Sequence, residues 1–147
     1  MHELLVMLHV LGATIWTGGH LILVLGFLPQ ALRSRDPQVL TDFESRYERV
    51  GMPALVIQVV TGFLLAQRVL PDHSLWLSWD AGAPRQIGVK LILLAVTIAL
   101  ALDARLRIIP KLSTKNLTSM ALHIIAITVV SVLFVLVGVG FRFGGLF

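Results

Sequence analysis

Residues Glu3 to Leu28 read ELLVMLHVLGATIWTGGHLILVLGFL, and this stretch decides the fold class. It holds one carboxylate, at its first position, and no Lys or Arg across 26 residues. As a helix rising about 1.5 Å per residue it crosses a hydrocarbon core about 30 Å thick. It has no basic leading segment and no small-residue cleavage site, and it is too long for a removable secretory signal. Three more stretches, Val50–Leu70, Gln86–Leu106 and Ser119–Gly140, are comparably apolar. The predicted fold is therefore all-α and integral to the membrane. It is an antiparallel bundle of four transmembrane helices, at about 3–28, 50–70, 86–106 and 119–140, forming one domain over residues 1–147.

Composition agrees. Of 147 residues, 56% are hydrophobic and 14% charged, and the mean hydropathy is +0.88. A water-soluble domain carries roughly a quarter charged residues, so the lipid bilayer is the expected surrounding. The absence of cysteine excludes disulfides, thiolate metal sites, iron–sulfur clusters and a cysteine nucleophile. The net charge of +4 reads as a topology signal rather than a nucleic-acid surface. Loop 1 carries Arg33, Arg35, Arg46 and Arg49, and loop 3 carries Arg105, Arg107, Lys111 and Lys115. The other four basic residues are Arg68, Arg85, Lys90 and Arg142. Eight against four places loops 1 and 3 in the cytoplasm and both termini outside. Trp76 and Trp79, in loop 2, are then expected as anchors at the outer interface.

Asp36-Pro37 reads as a helix start in loop 1, with Val39, Phe43 and Tyr47 following every fourth residue opposite Asp42, Arg46 and Arg49. That pattern fits a short amphipathic helix on the inner membrane surface. An ordinary polar connection fits it equally.

Ionisable residues inside membrane spans are costly, and their default reading is functional. Helix 1 contains His9 and His20, helix 3 Lys90 and Asp103, and helix 4 His123, while His2 stands at the start of helix 1. At about 100° per residue, His2, His9, Trp16 and His20 fall within one stripe about 40° wide. This stripe is expected to face the bundle interior. Gly12, Gly18 and Gly19 thin its flank, leaving room for a haem edge or for a close neighbouring helix. His9 and His20 are separated by roughly 16 Å along the axis, which puts them in opposite halves of the bilayer. His123, near the start of an antiparallel helix, shares the inner half with His20. Such a pair can ligate one haem iron from both sides or share a metal ion. Lys90 either snorkels to the interface or serves a cofactor, and Asp103 is expected to pair with Arg105 or Arg107. His73, in the loop with Asp72, is expected to be exposed. Met1 and Met7 lie near His2 and His9, and Met52 and Met120 near His123, where thioethers would suit Cu(I).

The run His9-Val-Leu-Gly-Ala-Thr-Ile-Trp16-Thr-Gly-Gly resembles the first-helix pattern of the CopD family and its HemJ-like relatives. Val60-Thr61-Gly62-Phe-Leu-Leu-Ala in helix 2 agrees, as does Lys90-Leu-Ile-Leu-Leu leading to Arg105-Leu-Arg107-Ile-Ile-Pro110. The likeness runs from about residue 4 to 140. A CopD resemblance implies copper handling across the bacterial inner membrane. A HemJ-like one implies b-type haem and protoporphyrinogen oxidation, with His9 and Lys90 at the positions of that group's essential His and Lys. His20 and His123 have no counterpart in the HemJ pattern.

Three readings follow. The first is a haem b protein, with His9, His20, His123 and Lys90 as cofactor-binding residues, performing electron transfer or small-molecule oxidation as a membrane oxidoreductase with a quinone or redox-protein partner. The alternative is copper transport or delivery, with His2, His9, His20 and His123 as metal stations. The third is a metal-free structural subunit whose histidines join helices. No catalytic residue is singled out. A homodimer, or a place in a larger complex, is compatible with all three.

Overall fold

The computed structural model describes residues 1–143. Four helices are long and apolar enough to cross a membrane: α1 (His2–Ser34), α2 (Gln38–Val69), α3 (Ala83–Lys111) and α4 (Leu117–Arg142). No strand occurs among the described residues. The protein is thus an all-helical, multi-pass membrane protein, as the apolar runs predict.

Each helix extends beyond its apolar run. Hydropathy marks the segment within lipid, whereas backbone hydrogen bonding continues into water. The largest departure is at α2, a continuous helix of 32 residues. It absorbs both the second apolar run and the amphipathic segment expected to lie on the membrane surface. The start at Asp36-Pro37 holds, because the Asp36 carboxylate accepts the Gln38 amide at 2.9 Å. The stripe faces protein instead of lipid. Phe43 lies 4.8 Å from Phe27 and 5.5 Å from Tyr47, centroid to centroid, because α1 also runs on past residue 28 and offers a partner.

That extension of α1 depends on a widened π-helical turn at Leu23–Phe27. Pro29 follows directly, and a proline lacks the amide and crowds the preceding turn of an α-helix; the wider turn accommodates it. The helix then ends with Arg35 in the left-handed region (φ 52°) and the Asp36 amide bonded back to the Ala31 carbonyl at 3.1 Å, a common helix stop. A matching π turn interrupts α3 at Ala104–Ile108.

The helices pack through small residues, as expected where lipid removes most of the hydrophobic drive for association. A Cβ on Gly12 would stand 2.9 Å from the Ala54 carbonyl oxygen, and one on Gly19 would overlap the Tyr47 ring. Of the two uses expected for these glycines, the close neighbouring helix is the one present; Gly18 faces open space. Between α1 and α4, the Thr17 hydroxyl donates to the Ser131 carbonyl and the Thr128 hydroxyl reaches the His20 carbonyl, each at 3.4 Å. Replacing Gly12 by Leu is expected to wedge α1 from α2 against unyielding backbone. The cost is about 1–3 kcal/mol, to be read as a lowered unfolding midpoint in detergent.

The best-buried core lies at the basic end of the bundle, where loops 1 and 3 emerge. Leu28 and Ala31 of α1, Leu40 of α2, Ile108 of α3, and Leu117, Met120, Ala121 and Ile124 of α4 meet there. Exposed side chains such as Leu25, Leu106 and Leu122 cover the outside, as lipid contact requires.

Candidate functional site

Just above that core, all four helices surround a cavity of about 160 Å³. Its lining includes Trp16 and His20 of α1, Glu44, Tyr47, Glu48 and Met52 of α2, Arg105 of α3, and Met120 and His123 of α4. The depth argument from sequence therefore brings His20 and His123 to one place, together with two thioethers.

His20 is held firmly. It is buried, and its Nδ1 donates to the Trp16 carbonyl one turn back at 2.8 Å. Its ring packs 4.5 Å from that of Trp16 and meets the Tyr47 ring edge-on at 5.8 Å. The Tyr47 hydroxyl donates to the Ile15 and Trp16 carbonyls at 3.0 and 3.1 Å, which fixes the third side of the cage. This arrangement commits Nδ1 as the protonated nitrogen and leaves Nε2 with its lone pair and no hydrogen bond among the described residues.

His123 is held differently. Its Nε2 donates to Asp103 Oδ2 at 2.8 Å, and its Nδ1 lies 3.2 Å from the Ser119 carbonyl. Both ring nitrogens face oxygen acceptors. Asp103 also receives Arg107 at 3.2 Å, so the expected charge pair is present, with the histidine as an additional partner. At the cavity mouth, Arg105 is ion-paired with Glu48. Glu44, Glu48 and Tyr47 are absent from the site expected from sequence, because a surface helix or polar connection over that segment carries no sign that α1 packs beside it.

The other ionisable groups lie elsewhere. His9 is half-buried against α2, its Nδ1 donating to the Gln58 carbonyl at 2.9 Å with Thr61 Oγ1 at 3.1 Å. Lys90 turns toward α4, with its ammonium 5.3 Å from the centre of the Phe141 ring. His2 is exposed at the start of α1. His73 is exposed and lies edge-on to Trp76 at 4.7 Å. Beside it, the Ser74 hydroxyl and amide hold the Asp72 carboxyl below its ordinary range. Trp76 donates to the Leu70 carbonyl at 2.9 Å, tying the loop to the end of α2.

Nothing in the cavity supports a haem between His20 and His123. Small-molecule cofactor sites occupy about 300–1,000 Å³, well above the cavity's 160 Å³. Asp103 also holds the His123 Nε2. Among the described residues, no three His, Asp or Glu side chains gather as a hard or borderline metal site would require. The lining also includes His20, with its free imidazole nitrogen, buried Met120 and half-exposed Met52, donor types suited to a soft monovalent ion.

No curated protein and no solved structure matches the chain. A family model described as CopD, Copper resistance protein D, matches residues 42–141, about two thirds of the sequence and most of the cavity-lining positions. The chain belongs to the CopD family.

Proposed function

We propose that this protein handles copper within the bacterial inner membrane, taking Cu(I) at the cavity of the basic end for transport or delivery. The observation that carries the proposal is that His20, whose Nε2 has no hydrogen bond among the described residues, lines one small cavity with buried Met120 and half-exposed Met52. Imidazole and thioether favour Cu(I). With no cysteine in the chain, they are the softest donors it has. The excess of Lys and Arg in loops 1 and 3 favours a cytoplasmic location for this end. His2 with Met1 and Met7, exposed at the far end of α1, supplies donors where copper would arrive or leave on the other side. His123, bound to Asp103, stands beside the ion rather than on it.

The test is a Cu(I) titration of detergent-purified protein against a chromophoric chelator, with haemin and Zn(II) tried in parallel. Stoichiometric Cu(I) binding that resists Zn(II) is expected. A sharp Soret band with haemin and no retention of Cu(I) would overturn the assignment.

A further inference from the structure

The cavity has a rim as well as a floor. Its deep residues are closed off from solvent: Met120 is 6% exposed, His20 8% and Ile124 3%. The Arg105 and Glu48 side chains, which line the same cavity, are 62% and 39% exposed. They stand at the mouth, and their ion pair crosses it from α3 to α2. Elsewhere α2 packs on α1, and α3 packs on α4. Among the described residues, the salt bridge between α2 and α3 is this one.

Two further features make that crossing movable. An ion pair this exposed is only marginally stable, so it opens thermally. Arg105 is also the second residue of the π turn Ala104–Ile108, and the π turn of α1 begins at Leu23, another lining residue. Single π turns inside α-helices are frequent at functional sites. Glu44 lines the cavity one turn before Glu48, offering a second carboxylate to an arriving cation once Arg105 moves aside.

We propose that the Arg105–Glu48 pair is the gate of the cavity, with Arg105 a tethered cation that occupies Glu48 until the gate opens. The identity of the cargo rests on the copper reading; the gating does not. The pair bars the cavity mouth when formed, and its loss exposes the buried lining to water from the basic end.

The cysteine-free sequence permits a direct test. Ile124→Cys places a single thiol on the lining, and its modification by 2-aminoethyl methanethiosulfonate is followed without copper. Glu48→Gln and Arg105→Gln are each expected to raise the labelling rate about fivefold, the factor matching the upper worth of an exposed pair. The charge exchange Glu48→Arg with Arg105→Glu is expected to return the rate to that of the parent. Ile127→Cys, also on the lining, serves as the reporter if Ile124→Cys does not fold. Equal rates in all four backgrounds would overturn the gate, as would a charge exchange that labels as fast as the single variants. Either failure leaves the Cu(I) assignment standing, and a failure to bind Cu(I) leaves the labelling result unaffected.

Discussion

Leu40→Ala is expected to be the most destabilising single truncation in the chain, at about 2–5 kcal/mol. Leu40 is 1% exposed and lies among Leu28 and Ala31 of α1, Ile108 of α3 and Leu117 and Met120 of α4. Removing its isopropyl group opens a void that four helices must collapse to fill, and close-packed interiors relax only in part. The measurement is the unfolding midpoint in detergent, followed by circular dichroism. A loss below about 1 kcal/mol would mean that the basic end is loosely packed and that the continuity of α1 and α2 contributes little.

The second large effect is on the metal. The double variant His20→Ala, Met120→Ala is expected to weaken Cu(I) binding by about 100-fold or more, on the order of 2.8 kcal/mol at 1.4 kcal/mol per decade. His20 supplies the free imidazole nitrogen, and Met120, 6% exposed, is the more buried of the two thioethers. His73→Ala, in the exposed loop, is expected to leave affinity unchanged. Equal affinity in the double variant and the parent would place the ion elsewhere in the bundle.

Much of this was legible in the sequence. The apolar runs give the four spans, because the bilayer sets a minimum length that nothing else in a short chain requires. The stripe of His9, Trp16 and His20 follows from helical periodicity, and the shared depth of His20 and His123 follows from rise per residue and antiparallel order. The neighbours of these residues were not legible. Val39, Phe43 and Tyr47 mark an apolar face, but a pattern on one helix does not tell whether lipid or another helix covers it. For the same reason nothing on α2 alone shows that Arg105 of α3 stands opposite Glu48. The haem expectation rested on two histidines at one depth. The structure does not support it: Asp103 holds the His123 Nε2, a bond between residues of different helices that no single-helix pattern shows.

The π turn at Leu23–Phe27 has a consequence for reading the first helix as a whole. A widened turn holds one residue more than an α turn, so the angular phase of α1 slips by about 100° on crossing it. The histidine stripe is in phase up to His20. Leu28 and Ala31 lie beyond the slip and reach the core in the second register. One wheel drawn through His2 and Ser34 therefore mixes two registers. A single-residue deletion within 23–27 would give one register throughout, and an unbroken α-helix would then carry the apolar pair of the lower segment in the direction it already faces.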